Sequence, residues 1–65
     1  MKIQYEKLPR SIKNELKEEC INSGLKMTTK ELYDNITNSN GDYKTIACAF
    51  NVSNVIVFKL QELNK

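Results

Sequence analysis

Apolar side chains recur every three to four positions through most of this 65-residue chain, the period of helices that bury one face. Pro9 suits the first turn of a helix, because its missing N–H would be unpaired there anyway. Behind it, Ile12, Leu16 and Cys20 fall on one row with Glu19 beside them, while Lys13, Lys17 and Glu18 take the other side. Gly24 supplies a left-handed stop, so a first helix is expected over about residues 9–22.

The next start is better marked. Thr28 followed by Glu31 forms a capping box, each side chain satisfying the other residue's backbone N–H, and Met27 and Leu32 stand in the positions of a hydrophobic staple. Leu32, Tyr33 and Ile36 give the apolar face of a helix over 29–37. Asn38-Ser39-Asn40-Gly41 ends it with residues that tolerate turns. Asn40-Gly41 is also a strong hairpin pair, which keeps a β-turn open as an alternative. Asp42 can cap a third helix over 43–50, and Ser53 a fourth over 54–63.

That fourth segment is contested. Val55-Ile56-Val57-Phe58 has the composition of a strand, whereas Val57, Leu60 and Leu63, with Ile56 alongside, keep the helical period. The strand reading pairs Ile3–Leu8 with Val55–Leu60 in an α+β module. Period and length favour helix. The expected fold is therefore all-α: one domain, residues 1–65, a small bundle of about four short helices, with Lys2–Leu8 as an extended arm or short strand.

Composition narrows the chemistry. Ten basic and eight acidic residues give a net charge of +2 and a pI near 8.6, with 40% apolar residues. A chain of this size buries roughly 60% of its unfolded surface, and such a core supplies about 3–5 kcal/mol. The absence of His removes the imidazole-based nucleophile arrangements and imidazole metal sites. Cys20 and Cys48 lack a CxxC partner, so no zinc knuckle is built. The opening residues hold no apolar export segment, and the run Val55–Phe58 is too short to span a bilayer. These features lead to the expectation of a cytoplasmic protein with reduced thiols, no metal or cofactor, no membrane association and no enzymatic activity. Cys48, between Ala47 and Ala49, is expected to pack inside a tight helix crossing.

Residues 43–62 carry a spacing with steric content: Ile46-Ala47-x-x-Phe50-Asn51-Val52-Ser53-x-x-x-Val57-x-x-Leu60. Ile46 and Phe50 face inward one turn apart, and Ala47 sits where two helices cross. Asn51 takes the turn, Asn being the next-best residue after Gly for a left-handed backbone. Val52 plugs the core and Ser53 caps the following helix. Over this third of the chain the sequence resembles the helix-turn-helix of bacterial and phage DNA-binding regulators.

The resemblance implies a small transcriptional regulator that binds double-stranded DNA, as a homodimer, through its second helix. Asn54 and Gln61 would meet adenine edges, and Lys59 guanine or a phosphate. Ser53 would hold a phosphate at the helix N-terminus, with Tyr43 and Lys44 on the backbone and Phe58 on the same outward face. Against it stand Glu62, the large apolar groups Val55 and Phe58 on a face that should be polar, and a charge too small for most nucleic-acid binders. The alternative is a protein-binding regulator or inhibitor of the phage or mobile-element kind. It would keep the scaffold and turn Val55 and Phe58 against a host regulatory protein.

Overall fold

The computed structural model describes residues 2–65. Four helices follow one another: α1 (Arg10–Asn22), α2 (Thr29–Asn38), α3 (Tyr43–Phe50) and α4 (Asn54–Leu63). No strand occurs among the described residues. The chain is thus an all-α small bundle, and the α+β alternative is overturned. Caps and burial of Ile56, Val57 and Leu60 outweigh the strand composition of residues 55–58. The opening segment is neither strand nor fully extended arm: Tyr5–Lys7 coil into a single 3-10 turn.

Local chemistry sets each boundary. Pro9 stands just outside α1 as its N-cap, so the helix begins one residue later than its period suggests. At the other end Gly24, at φ +62°, allows Leu25 N–H to donate to Cys20 O (3.0 Å) and its own N–H to Ile21 O (3.2 Å). This pair of bonds is the Schellman motif. Asn51 repeats the device after α3 at φ 57°: Val52 N–H reaches Ala47 O and Asn51 N–H reaches Cys48 O. The capping box of α2 is complete, with both Thr28–Glu31 bonds made. Gly41 takes φ +124° and leads directly into the α3 cap, so Asn40-Gly41 forms no hairpin.

Asp42 caps α3 by accepting from Thr45 N–H at 2.8 Å. That backbone bond, then the Thr45 side chain, holds the Asp42 carboxyl below its ordinary value. A group whose folded value is lowered stabilises above its unfolded value, and that contribution disappears as pH falls through the folded one. The Thr45 amide resonance should therefore titrate with a midpoint below the usual aspartate range, and Asp42→Asn should abolish the titration. A midpoint at or above that range contradicts the cap.

The helices close over one core. α1 packs on α2 and α3 on α4, while α4 also meets α1 and α2. Leu8, Leu16, Cys20, Leu32, Tyr33, Ile36, Ile46, Ala47, Ile56, Val57 and Leu60 are buried together. Tyr33 is the largest side chain fully withdrawn from solvent. Its hydroxyl donates to Ile3 O (2.5 Å) and accepts from Asn64 Nδ2 (3.2 Å). Asn64 also accepts from Ile3 N–H through Oδ1 (2.6 Å) and donates to Leu60 O (2.9 Å). Both ends of the described chain are thereby fastened to one tyrosine. Around it, Lys2 pairs with Asp34 at 2.9 Å and the Tyr5 ring lies 6.0 Å from the Tyr33 ring.

Both cysteines are free. Burial pushes the Cys20 thiol up, aided by nearby Glu19 and partly offset by a bond from Thr29. Cys48 is exposed and not a packing residue at the crossing. Neighbouring residues on a helix point about 100° apart, so burying Ala47 at the interface turns Cys48 to solvent.

Candidate functional site

The α3–turn–α4 unit and α1 together build the face on which nearly all the singled-out residues lie. Asn51 in its left-handed conformation reverses the chain after Phe50, and half-buried Val52 packs on the core from the turn. Ala47 is buried against α4, which brings the helices close. Ser53 then starts α4, its Oγ accepting from Val55 N–H (3.2 Å).

Burial on α4 is one-sided. Ile56, Val57 and Leu60 point inward, while Asn54, Val55, Phe58, Lys59 and Glu62 are exposed. Val55 is 59% exposed and Phe58 47%, so two large apolar groups remain in solvent on consecutive turns. Phe58 rests edge-on against Tyr43, with ring centroids 5.2 Å apart, which leaves Tyr43 half-buried. Lys44 is exposed at the start of α3. Gln61 lies partly inside and donates to Gly41 O (3.3 Å), turned away from the Val55–Phe58 face.

α1 runs antiparallel to α4 along this face. Glu15 pairs with Lys59 at 2.9 Å, and nearer the α1 C-terminus Glu19 Oε1 accepts from Ser53 N–H at 2.7 Å. Two grooves follow the seam on either side of the Glu15–Lys59 pair. One, about 320 Å³, is walled by Glu15, Glu18 and Glu19 of α1 and by Ser53, Val55 and Ile56 of α4. The other, about 490 Å³, is lined by Pro9, Ile12, Phe58 and Leu63, with Lys59 and Glu62 on its border. The first is acidic and the second largely apolar.

This arrangement changes the chemistry open to α4. The Ser53 amide, one of the anion-binding N–H groups at the start of α4, is already taken by the Glu19 carboxylate. Lys59, the one cation within α4, is neutralised by Glu15. Glu18 and Glu19 have no lysine or arginine partner among the described residues, and Glu62 pairs with Lys65 at 2.8 Å. The face therefore carries uncompensated negative charge around an apolar centre.

The glutamates of α1 are the part that sequence reasoning missed. By spacing alone Glu15, Glu18 and Glu19 lie along the polar side of α1, and nothing local indicates that this side borders α4. Among the described residues no cluster of His, Cys, Asp or Glu is arranged to hold a metal ion, and no helix is long and apolar enough to cross a membrane. Compared with protein-family models, with curated proteins and with solved structures, the chain matches none.

Proposed function

We propose that this chain is a small protein-binding regulator that docks a partner protein on the α1–α4 face, with Phe58 and Val55 as the apolar anchors. One observation carries the reading. Two of the groups through which α4 could take up phosphate, the Ser53 amide and the Lys59 ammonium, are engaged by carboxylates of α1. A phosphate brought to this face meets Glu15, Glu18 and Glu19, and a net charge of +2 over the whole chain provides little long-range attraction to offset them. An exposed aromatic ring beside an apolar groove is what protein interfaces use as an anchor.

DNA binding as a homodimer is the second reading, favoured by the left-handed turn at Asn51 with the Ser53 cap behind it. Exposed Lys44, Asn54 and Lys59 would then touch the duplex, with Tyr43, Ser53 and Phe58 around them, while Gln61 stays bonded to Gly41 O away from it.

Affinity capture from cell extract separates the two. With nuclease present, the wild-type chain is expected to retain a specific protein that Phe58→Asp loses, while the helical circular dichroism of the variant is unchanged. Phe58 is half in solvent, so the variant should fold. The reading fails if the protein is retained equally by the variant, or if capture disappears with nuclease. Duplex binding at low salt that weakens in Asn54→Ala/Lys59→Ala would favour DNA.

A further inference from the structure

We infer that the occupant of the α1–α4 seam is a single amphipathic helix with a basic end, laid so that its apolar residues cover Phe58 and Leu63 and its Lys or Arg side chains lie over Glu18 and Glu19. The inference rests on the protein-binding reading above and specifies the partner's chemistry and orientation.

Three observations on one face lead there. First, two grooves lie in line along the same α1–α4 seam, one on either side of the Glu15–Lys59 pair. On α1 the residues bordering the seam, Ser11, Glu15, Glu18 and Asn22, are spaced four, three and four apart, and on α4 Val55, Lys59 and Glu62 follow the same rule. A helix laid along this seam would meet both grooves in turn, the mode of helix-in-groove recognition.

Second, the seam is polarised along its length. At the end where α1 begins and α4 finishes, Pro9, Ile12, Phe58 and Leu63 form an apolar groove of about 490 Å³. Past the Glu15–Lys59 bridge it becomes a groove walled by three glutamates. Lys59 offsets Glu15, and Glu19 is satisfied as a hydrogen-bond acceptor by Ser53 N–H but not in charge. Glu18 is exposed and no cation among the described residues meets it. The seam thus offers apolar area at one end and two unmet negative charges at the other.

Third, this chain is poorly suited to fill its own seam. A second copy paired across the seam by a two-fold axis would bring no seam lysine other than Lys59, which is already paired with Glu15, so Glu18 and Glu19 would stay unmet. A partner helix with apolar residues on one turn and Lys or Arg on the next two satisfies both ends at once. The opposite orientation would place its cations on Phe58 and its apolar groups on glutamate. Charge therefore sets direction, and apolar burial supplies most of the affinity.

The test is a displayed library of helix-forming 15-residue peptides in which the outward positions vary among Ala, Leu, Phe, Lys, Arg and Glu, selected on the immobilised full chain. Enriched peptides are expected to carry Lys or Arg at one end and Leu or Phe at the other. A selected peptide should shift the amide resonances of Glu18, Glu19, Phe58 and Leu63. Glu18→Gln/Glu19→Gln, which keeps an acceptor for Ser53 N–H, should weaken that peptide about tenfold, and Phe58→Asp more than about thirtyfold.

Enrichment without charge bias, enrichment of acidic peptides, or no enrichment would overturn the inference. So would a concentration-dependent dimer, seen by sedimentation, that Phe58→Asp dissolves. The protein-binding reading itself is decided separately, by whether nuclease-resistant capture depends on Phe58. A partner captured through Phe58 but indifferent to the two glutamine substitutions would leave that reading standing and remove this one.

Discussion

Tyr33→Ala is expected to abolish the cooperative thermal transition of this chain and most of its helical circular dichroism at 25 °C. Truncating a large buried aromatic costs about 3–5 kcal/mol, which matches the whole stability that a core of this size supplies. Tyr33 is fully buried, and the loss extends beyond the cavity. Its hydroxyl joins Ile3 O to Asn64 Nδ2, so the same substitution releases the segments before α1 and after α4. Tyr33→Phe separates the two effects. It keeps the ring and leaves the Ile3 carbonyl and the Asn64 amide each without one partner, at a cost of about 1–3 kcal/mol. At about 4–8 °C per kcal/mol for a domain of this size, the phenylalanine variant should melt lower but still cooperatively. A Tyr33→Ala protein melting within about 5 °C of wild type would show that the core does not depend on this residue.

The second large effect belongs to Ala47→Leu. Ala47 is 1% exposed where α3 lies against α4. Added methylenes there must push the helices apart or force neighbours out of their rotamers, at a cost of about 1–3 kcal/mol. Denaturant midpoints should fall accordingly. Cys48→Leu is the matched control, because it adds similar bulk one residue along and on the exposed side. Exposed substitutions usually stay within about 0.5 kcal/mol. Equal destabilisation by the two, or a larger effect at Cys48, would mean that α3 is rotated about its axis from the arrangement described. The pair therefore tests helix orientation as well as packing.

The difference between those neighbouring positions shows which parts of the fold can be read from residues alone. Devices that close within a few residues were legible: the Thr28–Glu31 box, the Asp42 and Ser53 caps, and the left-handed stops at Gly24 and Asn51. Each depends on groups two to five positions apart whose geometry is set by the helix itself. Strand composition at Val55–Phe58 pulled the other way and lost, because a local preference for strand is weak beside burial of Ile56, Val57 and Leu60. Cys48 was misread because small neighbours on both sides suggested a crowded crossing, whereas the period exposes it.

The site was legible in halves. Val55 and Phe58 stood out as apolar groups on a face expected to be wet, and they are exposed. Which charges surround them was not readable. Glu15 meets Lys59 across 44 positions and Glu19 meets Ser53 across 34, and no local rule brings those residues together. The glutamates make the seam beside α4 acidic, so half of the site's chemistry depends on tertiary structure.

The hydrogen bond from Ile3 to Asn64 joins residues 61 positions apart, and its consequence is topological. Fraying of either terminus is fraying of both, because dislodging Asn64 frees the Ile3 amide and leaves the Tyr33 hydroxyl short of a partner in the same event. Among the described residues, the segment before α1 and the segment after α4 are thus linked to each other through Tyr33 and Asn64, without a covalent bond. Such a link raises the cooperativity of a domain whose core is otherwise too small to resist opening piece by piece.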